Sequence, residues 1–306
     1  MSNAYSLGGY KIALCARSAK TLLVEGKDDK ELFDCLRLSM GKEELFVVDT
    51  QEMIQDVSLS GLGAKARIDA FIQDVQSNWS ITRKLTCFVD REWEELIEPT
   101  NLDAIPWTEP LVTNLRLKTS GHSIENYGFT VDFVATYLQH FGQGVATRDL
   151  LERTSAAVPE ILKAGAAFSQ VARKRSLIGK CTNILELSDI EWIDGRISVS
   201  IDVEEKLTSR GAQNAVGFCQ EYNCALNDYW DRLPFSKEAY LHAHGHIGEL
   251  MLWLGVGKVV SDHGGLRSGI GQEIATGRRD EKRRVWHSWL AKQEQGSADP
   301  LSRVFR

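Results

Sequence analysis

Short apolar runs alternate with amphipathic ones through the first third of the chain. Thr21 to Glu25 (TLLVE), Leu45 to Asp49 (LFVVD) and Leu85 to Asp90 (LTCFVD) are apolar stretches that each end in an acid. Runs of this length, bounded by polar residues, fit strands buried on both faces. Between them the spacing becomes helical. Asp28 to Met40 places Leu32, Phe33 and Leu36 on one side, and Ala64, Ile68, Phe71, Ile72 and Val75 form a second stripe after a loop containing Gly61 and Gly63. Strands and helices taking turns predict a mostly parallel sheet flanked by helices, an α/β fold.

From Thr130 the period is largely helical, over Val131 to Phe141 and Ala146 to Ala157, followed by a polar and basic stretch ending VARKRSLIGK. One hairpin interrupts it. Glu191 to Ile193 and Arg196 to Val199 flank Asp194-Gly195, a pair that favours a tight type I′ turn, and Asp202 is placed to cap the next helix. Glu204 to Arg232 reads as one or two helices. The remainder predicts a helix from about Ile247 to Leu254, a glycine-rich loop through SDHGGLRSGIGQ, and a basic helix in RRDEKRRVWHSWL. No internal repeat or low-complexity linker divides the chain. The expected organisation is an α/β core over 1–130, a largely helical insertion with a small hairpin over 131–235, and a segment over 236–306 that packs back on the core.

Composition changes this picture little. Hydrophobic residues make up 43% and charged residues 25% of the 306, as in an ordinary globular protein. No stretch approaches the roughly 18 uninterrupted apolar residues of a membrane span, and the apolar patch in MSNAYSLGGYKIALCARSAK is short for an export signal, so a cytoplasmic protein without membrane contact is expected. Cys15, Cys35, Cys87, Cys181, Cys219 and Cys224 form no C-x-x-C pair, which argues for free thiols over a zinc ribbon or a redox dithiol. With a formal net charge of -6, any polyanionic partner must be met by local basic patches.

The chemistry concentrates at strand ends. In parallel α/β sheets ligands bind beyond the carboxyl ends of the strands, where Glu25 and Asp90 fall. In an extended Asp90-Arg91-Glu92 the two acids would share a side. Mg²⁺ takes oxygen ligands and keeps several waters, so a few carboxylates suffice, and it relieves the repulsion that otherwise makes one of them take up a proton. Glu25, Asp90 and Glu92 are therefore the candidate metal ligands and catalytic acids, with Mg²⁺ as the ion and Mn²⁺ able to substitute. Gly26 leaves room for a phosphate or backbone to approach. Glu125, in GHSIENYGF, is a further catalytic candidate, as a ligand to a second ion or a group behind the first. Simpler roles compete: Glu25 would also serve as a helix cap or ion-pair partner, Asp28 and Asp29 suit a helix first turn, and Glu94 and Glu95 read as solvated loop acids.

VEGKDD after a strand, the acid-x-acid pair Asp90 and Glu92 at the end of a later one, and SIENY downstream resemble the Toprim fold in its OLD-like form, and within it the AriB family, nuclease effectors of the PARIS anti-phage defence system. The motifs cover roughly Thr21 to Phe129. The resemblance implies that Glu25 acts as general acid/base or metal partner and that Asp90 and Glu92 hold Mg²⁺; the family usually has aspartate where this chain has Glu92. It further implies a nuclease toxin kept inactive by an ATPase partner of ABC or AAA type, released when a phage protein is sensed, active as a homodimer and directed at tRNA. An OLD-like DNA nuclease and a non-catalytic, Toprim-shaped module that binds an ATPase are the competing readings. Topoisomerase or primase chemistry would need a nucleophilic tyrosine domain or a polymerising site, and neither is found.

His242, His244 and His246 alternate in LHAHGHIGE. Zinc is one reading, although no cysteine or further histidine completes a tetrahedral set. The other makes one or two of them, His244 first, proton carriers near the scissile phosphate. His263 reads as structural or surface. For substrate binding the candidates are Lys27, then Arg173, Lys174 and Arg175, then Arg279 and Arg283 in a basic helix beside Trp286 and Trp289, where phosphates can be held and bases stacked. Solvated helix faces are the plainer reading of those runs.

Overall fold

The computed structural model of the chain describes residues 4–94, 113–193, 195–232, 239–293, 301, 304 and 305. The chain forms two compact units: Met1–Glu95 with Glu109–Ser120 and His287–Arg306, and Leu96–Thr108 with Gly121–Trp286.

The first unit is an α/β layer. Four parallel strands, β1 (Lys20–Val24), β2 (Phe46–Thr50), β3 (Leu85–Val89) and β4 (Arg116–Lys118), lie in the order β2-β1-β3-β4. Register is fixed by pairs such as Leu22 with Val48 and Leu23 with Cys87. β1 is central, and four of its five residues are buried, which is why it reads as a continuous apolar run. The helices are α1 (Leu7–Ala16), α2 (Lys27–Ser39), α3 (Ala64–Val75) and the single turn α4 (Trp79–Thr82). Tyr10 and Leu14 of α1 join Ile68, Phe71 and Val75 of α3 in one core cluster with Leu23, Cys87 and Val89. The ring of Phe33, on α2, meets Phe88 edge-on at 4.9 Å, and Phe305 packs edge-on against Phe46 at 5.2 Å. Three of these elements, α1, α4 and β4, were not expected. β4 is three residues long and carries two cations, so it lacks an apolar run.

The second unit is mostly helical: α5 (Val131–Phe141), α6 (Arg148–Lys174), α7 (Ile178–Cys181), the antiparallel hairpin β5 (Ile190–Ile193) and β6 (Arg196–Val199), then α8 (Asp202–Ser209), α9 (Phe218–Arg232), α10 (Ala239–His242), α11 (Gly245–Ser261), α12 (Ile270–Thr276) and α13 (Arg279–Gln293), which continues into the first unit. Asp194, the first turn residue of the hairpin, lies outside the described residues; Gly195 takes the positive φ of 75° that the turn requires. α6 and α11 are longer than their polar patterning predicts. α6 runs through Pro159 and is buried almost all round from Ile161 to Ala172, and α11 is buried at Ile247 and Gly248 and from Met251 to Gly257, so neither shows a polar face to mark its length. The expected glycine-rich loop is present over 262–269, but Ile270 to Gln272, read as its end, begin α12. Its Gly271 lets it close on α11: a Cβ on Gly257 would stand 2.5 Å from the Gly271 carbonyl oxygen. Asp202 does not cap α8. It is the first helical residue, and its N–H donates to Ser200 Oγ at 3.2 Å.

Candidate functional site

Glu25 and Asp90 each follow the last residue of adjacent parallel strands, β1 and β3, and meet there. Glu25 Oε1 accepts the Asp90 backbone N–H at 2.8 Å. Behind Glu25, Gly26 is the N-cap of α2 in extended conformation, and its N–H donates to Asp29 Oδ2 at 2.9 Å. Asp29 thus supplies the one half of a capping box that a glycine N-cap allows, the first-turn role its position implied. A Cβ on Gly26 would meet only Asp29, at 3.7 Å, so the approach to Glu25 is open on that side. Burial pushes the Glu25 carboxyl up to about 7. The Asp90 N–H opposes the rise, the charges of Asp29 and Glu92 add to it, and Lys65 counters it.

The segment after Asp90 is not extended. Glu92 sits in a turn with φ 53°, in the left-handed region, so the pleat argument that put Asp90 and Glu92 on one side does not describe it. What bends the segment is Arg91, which is fully buried: its N–H donates to Thr119 Oγ1 at 2.8 Å and its Nε to the Glu94 carbonyl at 3.0 Å. Lys65 Nζ stands 3.1 Å from the Arg91 carbonyl, 2.8 Å from Glu94 Oε1 and 3.6 Å from Glu92 Oε2. Glu94 is therefore no solvated loop acid. Partial burial would raise its carboxyl, but hydrogen bonds from Lys118, Lys65 and Arg116 hold it down at about 2. Glu95 lies outside the described residues. Asp49, at the same end of β2, is taken up by the Tyr10 hydroxyl at 2.9 Å and Arg17 Nη1 at 2.5 Å, so it adds no further acid. Among the described residues no three histidine, cysteine or acidic groups stand as a formed metal centre.

Glu125 and the histidines belong to the second unit. Ile124–Gly128 is a short 3-10 helix in which Ser123 Oγ donates to Glu125 Oε2 at 2.6 Å, and Asn126 Nδ2 holds the segment to the Ala243 carbonyl at 3.0 Å. His246 Nδ1 lies 3.5 Å from Glu125 Oε1. The three histidines do not alternate along a strand: His242 ends α10, His244 caps α11 and His246 is in its first turn. The His244 N–H donates to Ser169 Oγ at 2.9 Å, and its ring lies 4.4 Å from that of His122. Burial, with His246 beside it, pushes His244 down to about 4, so it is a neutral imidazole at pH 7. Gly245 is required for this packing, since a Cβ would stand 2.0 Å from Ser123 Oγ and 2.5 Å from Glu125 Oε2.

The basic candidates are placed unevenly. Lys27 is exposed at the start of α2, 3.7 Å from Glu31. At the end of α6, Arg173 is half-buried; Lys174 and Arg175 both hold Glu221, and Arg175 Nη1 also donates to the Asn214 and Val216 carbonyls at 2.7 Å. Those two cations tie α6 to α9 and the loop before it. On α13, Arg279 is exposed and lines a cavity, and Arg283 is half-buried. Two functional-looking side chains escaped the sequence reading: Lys65 and Glu249. Lys282 lay within the basic run beside Trp286 and Trp289 that the sequence offered for phosphate binding, and it shares the i, i+4, i+7 face of α13 with them.

A parallel α/β unit with a buried carboxylate at adjacent strand ends, and a helical unit carrying a Ser123–Glu125–His246 cluster, define what the fold presents. Compared with family models and with curated proteins, the chain matches none. No helix among the described residues is long and apolar enough to cross a membrane.

Proposed function

We propose that the chain is a Mg²⁺-dependent phosphodiesterase of Toprim type, an endoribonuclease effector of an anti-phage defence system that cuts RNA, with tRNA as the target, after release from an ATPase partner. One observation carries the reading: Glu25 meets Asp90 at the carboxyl ends of adjacent parallel strands, and burial beside other acids leaves it holding a proton near neutral pH. A carboxyl poised there is suited to general acid–base work. The oxygen-only set of Glu25, Asp90 and Glu92 suits a hard ion, Mg²⁺ or Mn²⁺, rather than zinc. When bound, such an ion would polarise the phosphate and stabilise the leaving oxygen. Glu25 takes or returns the proton of the attacking water, and the Asp90 N–H fixes the orientation of its carboxylate. Lys65 supplies positive charge beside Glu92. The ATPase, the phage trigger, tRNA, the homodimer and a cytoplasmic site of action rest on the resemblance to the AriB family alone.

The test is incubation of purified protein with tRNA, mRNA and plasmid DNA in Mg²⁺, Mn²⁺ or EDTA. tRNA is expected to be cut with either ion and not in EDTA, and Glu25→Gln to slow cleavage by about 100-fold or more. Undiminished cutting by Glu25→Gln overturns the proposal. Cutting of plasmid with tRNA intact makes the chain an OLD-like DNA nuclease, and tight ATPase binding without cation binding in calorimetry makes it a non-catalytic module.

A further inference from the structure

Within the second unit lies a cavity of about 390 Å³ that the nuclease reading does not use. Two oppositely charged side chains line it without touching. Lys282 is 6% exposed; its Nζ sits 4.6 Å from the Trp253 ring centre and donates to the Ala275 carbonyl at 3.2 Å. Glu249 lines the cavity too, half-buried on α11, and among the described residues it makes no hydrogen bond or ion pair. Buried charges ordinarily pair, because an unpaired one costs several kcal/mol of lost hydration. Here burial pushes Lys282 down to about 8 and Glu249 upward, the signature of charges left apart.

Its volume falls within the range of small-molecule sites, about 300 to 1,000 Å³. The lining matches one ligand class in its parts. Arg279, which makes no ion pair among the described residues, stands with Lys282 and His246 as the cationic side. Glu249 is the single carboxylate on the wall, and Trp253 and Leu250 are the apolar surface. An arginine, a lysine and an imidazole suit the charge of a phosphate; one carboxylate suits the N–H edge of a base; an apolar wall suits a flat ring.

We propose that this cavity binds a nucleotide, its phosphate held by Lys282 and Arg279 and the Watson–Crick edge of its base by Glu249. Every nucleobase offers that carboxyl group an N–H on this edge, adenine and guanine serving as the probes, and the nucleotide is either free or one residue of an RNA chain.

Calorimetry on the full chain carrying Glu25→Gln, which keeps RNA intact, tests the site apart from cleavage. GMP or AMP is expected to bind saturably. Arg279→Ala and Lys282→Met should each weaken binding by about tenfold or more, and Glu249→Gln should weaken the nucleotide while leaving inorganic phosphate unchanged. Arg279 is exposed, so its variant keeps the test alive should Lys282→Met fold poorly. A short RNA with a 5′-phosphorylated purine that binds more tightly than GMP assigns the pocket to a chain, and equal or weaker binding assigns it to a free nucleotide. Absence of heat from GMP and AMP at millimolar concentration, or unchanged affinity in Arg279→Ala and Glu249→Gln, overturns the proposal.

Discussion

The carboxyl of Glu25 is the side chain whose chemistry is most displaced by its surroundings, and the displacement sets a sign. Its folded pKa is raised, to about 7, so its contribution to stability is complete below the ordinary value of 4.5 and is lost as pH rises through about 7. Metal-free protein should therefore melt progressively lower from pH 5 to pH 8, by up to about 3 kcal/mol of stability. Glu25→Gln should flatten that profile, and saturating Mg²⁺ should do the same in the unsubstituted chain by favouring the ionised form; scanning calorimetry across the range reads both. Glu94 has the opposite sign. Its folded carboxyl is depressed, so it stabilises above pH 4.5 and loses this as pH falls through about 2. Glu94→Gln is expected to cost roughly 1 kcal/mol in urea denaturation at pH 7, a figure kept low because the side chain is over a third exposed and solvent screens its three cations. Glu25 and Asp90 were legible in the sequence because an acid closing an apolar run is a local pattern. The roles of Arg91 and Glu94 were not, because their partners, Lys65, Arg116, Lys118 and Thr119, arrive from α3 and from the segment that carries β4.

Elements announced themselves where one face met solvent. α5 was readable from end to end, since Thr130 caps it, Gly142 ends it with φ 71°, and five buried residues mark one side. α11 and the Ile161–Ala172 stretch of α6 were blurred for the reverse reason: packed against other helices, they spend small residues on close approach and keep no polar stripe, and α12 closes on α11 through Gly271. That reading of α11 and α12 makes Gly257 a demanding position. A Cβ there would face a backbone oxygen at 2.5 Å, which cannot swing aside as a side-chain tip can. Gly257→Ala should cost about 1–3 kcal/mol by overpacking, seen as a lower urea midpoint with an unchanged slope. Gly8→Ala, with nothing near the added Cβ, should leave the midpoint unchanged or slightly raised.

On the scale of the whole molecule, the α/β class followed from three apolar runs alternating with helical stripes, and the four-stranded parallel sheet agrees with it. The partition into units was harder to read, because the first is assembled from three separate stretches of chain while most of the second is one continuous run. No composition shift marks such joins. Phe305 shows what the discontinuity means for stability. It packs on Phe33 and Phe46, and Phe305→Ala should destabilise the first unit by about 3–5 kcal/mol, with circular dichroism reporting the lower melting temperature. The same contact has a consequence during synthesis. At about 5–20 residues per second, a ribosome that has just made Phe46 needs roughly 10–50 s to reach Phe305. The acid-bearing sheet, whose four strands are all made by Lys118, must therefore wait for the polypeptide to be nearly complete before it is fully enclosed.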